Sequence, residues 1–181
     1  LPAEQRQQMA TLESGPTLIT IRLLGPLAVR LGDAPVDLRA LKRRKTGQLL
    51  ALLLAQDGPL PREQISERLW PDLTPRAAHT SLRVALHHLR RLLEPHLGGR
   101  TRSRYIQAEG GLIWFQRRPE VWVDLDQFRR TLQQAEAARA AGRTEEAARL
   151  LEEAGTALRG CLLYTHEGAD SLLCVHTGGR P

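Results

Sequence analysis

Between Thr74 and Glu94 the chain reads TPRAAHTSLRVALHHLRRLLE. One set of side chains in this stretch carries cationic and hydrogen-bonding chemistry: His79, Thr80, Arg83, His87, Arg90 and Arg91, with Glu94 the single acid, near the end. Their spacing is helical, so they share a face. Guanidinium, imidazole and hydroxyl groups in such a row suit binding rather than bond cleavage. The surface that fits them is the major groove of a duplex, where base edges and phosphates supply acceptors. A core helix with a solvated charged face gives the same pattern, so the flanking segments must arbitrate.

A helix has to hold that face outward. Thr74 can cap its first turn, and Pro75 suits the first helical position, where a missing N–H costs nothing. Ala78, Leu82, Leu86, Leu89 and Leu93 recur at the spacing of one buried stripe. Pro95 stops the helix.

Composition narrows the class of protein. Hydrophobic residues make up 41% of the 181 and aromatics only 4%, so leucine and alanine must fill the core, which favours helices over a β-sandwich. The net charge is +6, and its distribution says more than its sum. Residues 39–104 hold 14 Lys/Arg against 5 Asp/Glu, whereas residues 124–160 hold 6 against 7. Basic charge confined to one part is expected of a nucleic-acid module joined to a protein-contacting one. Cys161 and Cys174 are too few for a disulfide framework and read as free thiols in a reducing compartment. The longest apolar run, Leu49 to Ala55, is too short to cross a bilayer, and no signal peptide is visible. A cytoplasmic protein without membrane contact is expected.

In chain order, residues 1–16 are polar and Gln-rich, a disordered tail or linker. Ile19, Ile21 and Leu23 alternate with Thr20 and Arg22. Ala28 to Leu31 and Val36 to Leu38 follow turns at Gly25-Pro26 and Gly32-Asp33, which predicts a small antiparallel meander. A Leu-rich helix runs from about Arg43 to Gln56, with the basic cluster Lys42 to Lys45 at its start. Cations there oppose the helix dipole, so their placement calls for nearby phosphates. A Walker phosphate loop is excluded at Lys45-Thr46 because its glycines are absent. Pro61 opens a second helix that ends at Trp70, and the groove-facing helix follows. Tyr105 to Ala108 and Leu112 to Phe115 then form a hairpin around Glu109-Gly110-Gly111. Farther on, Asp124 and Gln127 make a capping box. Leu125, Phe128, Leu132, Ala135 and Ala138 form one helical stripe, with Gly142 as C-cap. Ala147, Leu150, Leu151, Ala154 and Leu158 form the next.

The order of small sheet, three helices and hairpin resembles the OmpR-type winged helix. The segments LLGPLAVRLGDAPVDL, KTGQLLALLLAQDGPLPREQISERLWPD, SLRVALHHLRRLLEP and VDLDQFRRTLQQAEAARAAGR are together similar to the antibiotic-regulatory-protein (SARP) family of bacterial transcriptional activators. That resemblance implies an α+β winged-helix DNA-binding domain over residues 17–118. An all-α, tetratricopeptide-like bacterial transcriptional activator domain follows over residues 119–160, shorter than the family's and so expected to be truncated, and then an irregular tail over residues 161–181.

The resemblance also implies roles for residues. By register against the OmpR-type helix, Thr80, Ser81, Arg83, Val84 and His87 are expected at base edges or adjacent phosphates. His88 and Arg90 are expected toward the backbone, and Arg91 is counted among the DNA-binding residues without an assigned side. Arg83 is the leading candidate for a specific contact, since one guanidinium can take guanine O6 and N7 together. A wing of this type normally reaches the minor groove. Here Glu109 at its tip would repel phosphate, so Arg102 and Arg104 become the phosphate candidates, with Arg44 and Lys45 as a second backbone anchor. In the family the loop between the second and third helices faces RNA polymerase, which makes Asp72 and Leu73 candidate polymerase contacts. Trp70 is expected in the core. The implied partners are double-stranded DNA, RNA polymerase and a second protomer side by side on tandem repeats, with no cofactor.

Other function classes find less support. His87 and His88 lack the i, i+4 spacing of a zinc pair. The sequence shows no catalytic Ser-His-Asp order and no carboxylate pair in an apolar setting. His166, Glu167 and Asp170, near the cysteines, lie in the least patterned segment. A protein-interaction scaffold built on the C-terminal helical segment is the competing reading.

Overall fold

The computed structural model describes residues 18–36, 44–98 and 101–162. The expected N-terminal tail, most of the strand at Val36 to Leu38, the segment before Arg44 and the C-terminal tail lie outside those residues. The described residues fall into two compact units, divided between Asp126 and Gln127, with Leu24–Pro26 grouped with the second.

In the first unit, β1 (Ile19–Arg22), β2 (Ala28–Leu31) and β3 (Ala34–Pro35) form the expected antiparallel meander. Ile19, Ile21 and Val29 point inward and are buried, while Arg22 and Arg30 point out, as period-two alternation requires. Three helices follow: α1 (Arg44–Ala55), α2 (Arg62–Leu69) and α3 (Pro75–Leu93). Leu49, Leu50, Leu53 and Leu54 make α1 the centre of the core. Each contributes about 1.5–3 kcal/mol of burial relative to an exposed position. Gly47 in the first turns of α1 admits Leu27, whose Cδ2 would lie 2.9 Å from any Cβ placed there.

The hairpin consists of β5 (Ile106–Glu109) and β6 (Leu112–Phe115). Gly110 and Gly111, at φ 56° and 81°, supply the two left-handed positions of its tight turn. Two pairings carry no periodic signal in the sequence. The dipeptide β4 (Leu60–Pro61) adds a third strand beside β6. The strand β7 (Val121–Val123) lies parallel to β1 and completes the first sheet, in the order β3-β2-β1-β7.

Helix α4 (Asp124–Ala140) begins where β7 ends. The Asp124 carboxylate accepts the Leu23 N–H, at 2.8 and 3.0 Å to its two oxygens, which ties the helix start to the end of β1. This long-range bond joins segments that the local capping pattern does not connect. Arg117 makes a second tie. It donates to Leu54 O at the end of α1 (2.9 Å) and to Asp126 Oδ1 (2.8 Å), with its guanidinium carbon 5.6 Å from the Phe115 ring centre. A cation there also suits the negative end of the α1 dipole.

The second unit pairs α4 with α5 (Thr144–Leu162). Its core is small-residue packing: Thr131, Ala135 and Ala138 on one helix, and Ala147, Leu150 and Ala154 on the other. Gly142, at φ 75°, closes α4 in a Schellman motif, with Arg143 N–H on Ala138 O (2.9 Å) and Gly142 N–H on Arg139 O (3.1 Å). One member of the expected stripe differs. Leu151 is 51% exposed, because it follows Leu150 by one residue and so turns about 100° away from the seam.

Candidate nucleic-acid interface

The apolar back of α3 is buried as its spacing requires, from Ala78 through Leu82, Leu86 and Leu89 to Leu93. Thr74 occupies the N-cap position in extended geometry, but its hydroxyl makes no capping bond. Pro75 at the first helical position removes one N–H that would otherwise need a partner.

With its back held, the helix presents His79, Thr80, Arg83, Val84, His87, His88 and Arg91 to solvent, while Ser81 and Arg90 are half-buried. The Thr80 hydroxyl donates to Arg76 O (3.0 Å), which leaves oxygen lone pairs facing out. His87 and His88 pack edge to face, with ring centres 5.8 Å apart.

Two hollows flank this helix. On one side Ser81, Val84 and His88 meet Lys45, Thr46 and Trp70 around a cavity of about 240 Å³. Lys45 lies in the first turn of α1, which holds no acid. The Arg44 side chain lies outside the described residues. On the other side Arg83 and Arg90 of α3 meet Arg62 of α2 and the hairpin residue Ala108 around about 170 Å³. Sequence reasoning missed Arg62, which follows Pro61 and reads there only as a helix start. The fold brings it to the site because its N–H donates to Gly111 O (3.0 Å), anchoring the start of α2 on the hairpin turn.

The connector after α3 is pinned back to that helix. The Ser103 hydroxyl donates to Glu94 Oε2, and Arg104 N–H donates to Glu94 Oε1 (2.9 Å). Ser103 Oγ in turn accepts the N–H of Ile106 (3.0 Å) and of Tyr105 (3.3 Å). Ser103 is buried, so Ser103→Ala strands two backbone donors and removes one of the two bonds to Glu94. We expect a loss of about 1–3 kcal/mol in urea denaturation; a change within error would show that water replaces the hydroxyl.

This pinning leaves Arg102 exposed beside Arg90, Gln107 and Glu109. Arg104 differs from the expectation of a free phosphate ligand. It pairs with Glu120 (3.0 Å) and lies 5.9 Å from the Tyr105 ring centre. The Tyr105 hydroxyl also donates to Glu120 (3.3 Å). Burial, with Glu120 beside it, pushes that phenol above its ordinary value and keeps it neutral. Glu109 stands exposed at the hairpin turn, as its sequence position implies.

The loop residues Asp72 and Leu73 are exposed. Leu73 borders a groove of about 450 Å³ between α2 and α3, lined also by Trp70, Ser66, Glu63 and Glu67. Trp70 is half-buried, packed partly on the core and partly lining this groove. Among the described residues no cluster of three or more His, Cys, Asp or Glu is placed to hold a metal ion. No described helix is long and apolar enough to cross a membrane.

No family model and no curated protein matches the chain. Among solved structures, the chain is similar to Mycobacterium tuberculosis EmbR, solved in complex with a low-affinity phosphopeptide. The likeness has a TM-score of 0.62 at 26% sequence identity and covers 80% of this chain. The chain spans little more than a third of EmbR, 37% of its length. The comparison supports a SARP-like fold of mixed α/β type, with five helices and two small sheets among the described residues.

Proposed function

We propose that residues 17–118 act as an OmpR-type winged-helix DNA-binding domain, with α3 in the major groove and the β5–β6 hairpin as the wing. The protein is then a sequence-specific transcriptional regulator: an activator that binds promoter repeats as adjacent protomers and recruits RNA polymerase through Asp72 and Leu73. Residues 119–160 form a tetratricopeptide-like activator segment. The likeness to EmbR supports a regulatory role in general. The observation that carries the finer reading is the two-sidedness of α3. Its leucines are buried, while Thr80, Arg83, Val84, His87 and Arg91 stand exposed along the opposite side, with cationic hollows on both flanks.

The division of labour follows from chemistry. Arg83, exposed and midway along the helix, reaches base edges, while Lys45, Arg91 and Arg102 neutralise phosphates and set the register. Selection of binding sites from random duplexes, run on the parent and on Arg83→Ala, tests this. The parent is expected to yield a repeated motif. The variant is expected to lose about 1–3 kcal/mol on that motif and to relax preference at one base pair. An unchanged motif would remove Arg83 from base reading, and recovery of no motif by the parent would remove the sequence-specific reading altogether.

A further inference from the structure

Arg90 sits in an unusual place for a cation. It is half-buried, and its Nε is shielded from water without a hydrogen-bond partner. Burial and then the neighbouring Arg62 hold its pKa below the ordinary arginine value, with Glu94 acting in the opposite direction. Glu94 accepts the Ser103 hydroxyl and the Arg104 N–H, one on each oxygen. The hollow in front of Arg90 is lined by Arg62, Arg83 and His79 over Leu82 and Leu86, and by no carboxylate. Like charges gathered around a small cavity repel, and a buried donor left unpaired is costly. An anion at the centre relieves that repulsion.

The shape of the hollow narrows the anion. At about 170 Å³ it is smaller than the pockets of drug-sized ligands, which run from about 300 to 1,000 Å³. It therefore suits a single compact group rather than a nucleoside. Two guanidiniums converging from different helices offer more donors than the two oxygens of one carboxylate can use. A tetrahedral, multiply charged oxyanion matches them, and the planar fork of arginine fits phosphate oxygens in pairs.

We infer that Arg62 and Arg90 form a seat for one phosphate group, with His79 and Arg83 at its mouth. Two sources carry this chemistry. A backbone phosphate of a bound duplex is one, and that case rests on the DNA reading above. Free inorganic phosphate is the other and does not depend on it. Placing the phosphate on Arg62 and Arg90 leaves Arg83 able to extend past the mouth toward bases.

The test follows the arginine Nε–H resonances of the full chain by NMR, titrated separately with inorganic phosphate, with a selected duplex, and with chloride at matched ionic strength. Phosphate is expected to shift the Arg90 Nε–H saturably where chloride does not. R62Q, which alters a surface side chain, is expected to weaken that response roughly tenfold. With duplex, R62Q is expected to weaken binding evenly across sequences and to reduce the salt slope by about one. If phosphate shifts Arg90 but no duplex binds, the seat stands for free phosphate and the DNA reading falls. If only the duplex shifts Arg90 and R62Q lowers the slope, the seat takes a backbone phosphate. If duplex binds with Arg90 unmoved and R62Q without effect, and phosphate shifts nothing, the seat is overturned while the DNA reading survives. Silence of Arg90 toward both probes also overturns it.

Discussion

Raising salt from about 50 to 200 mM is expected to weaken duplex binding roughly a thousandfold. The estimate comes from the cations on α3 and around the hollows beside it: Lys45, Arg62, Arg83, Arg90, Arg91 and Arg102. About six neutralised phosphates release enough counterions for a log–log slope near −5. Arg104 is left out because Glu120 holds it at 3.0 Å. The Glu120 side chain is only 10% exposed, so parting Arg104 from it would leave a largely buried carboxylate short of a partner, and Arg104 is expected to stay paired on binding. Fluorescence anisotropy with a labelled duplex over a salt series measures this directly. A flat line would mean that these charges are merely solvated and that the polar face of α3 meets something other than nucleic acid.

Leu89→Ala is expected to be the most damaging single truncation on α3, costing about 2–5 kcal/mol. Leu89 is 0% exposed and belongs to the core cluster of the first unit. A domain of this size is stable by only about 5–15 kcal/mol, so such a loss should lower the urea midpoint substantially. Val84→Ala, on the same helix but 37% exposed, is the control and should stay within about 0.5 kcal/mol of the parent. The two variants separate packing from recognition: the first should lose stability, the second should alter only contacts made by the outer face. Equal stability of Leu89→Ala and parent would mean that the leucines do not hold this helix in place.

What the sequence discloses about α3 it discloses locally. Ala78 to Leu93 repeat within a few residues of one another, and a helix is the conformation that puts them on one side. The same holds for Ile19 and Ile21, and for the hairpin turn at Gly110-Gly111, where two adjacent residues need positive φ. The unread parts share a different cause. The pairing of Val121–Val123 with Ile19–Ile21 joins segments about a hundred residues apart, and no local period reports it. Leu60–Pro61 is too short to have a period at all. Asp124 reads in the sequence as a local cap, yet its carboxylate accepts the distant Leu23 N–H. At the site, Arg62 looks like a generic opening of a helix, and the pairing of Leu60–Pro61 with the hairpin, continued by the bond from the Arg62 N–H to Gly111 O, brings it beside Arg90. For Arg104 the charge is legible in the sequence, while its partner Glu120, sixteen residues away, is not. Leu151 shows the limit of stripe counting, since on a helix covered from one side the second of two adjacent leucines turns out of the seam.

The parallel placement of Val121–Val123 against Ile19–Arg22 has a consequence for synthesis. A ribosome releases the earlier segment long before its mate exists. Until then Ile19–Arg22 has one margin of unpaired amides, the kind of template on which chains stick together. Contacts this far apart along the chain also form late, because the intervening loop must first be closed. A gene fragment cut just after the hairpin would make that temporary exposure permanent, so recombinant pieces of the first unit need to extend through Asp126.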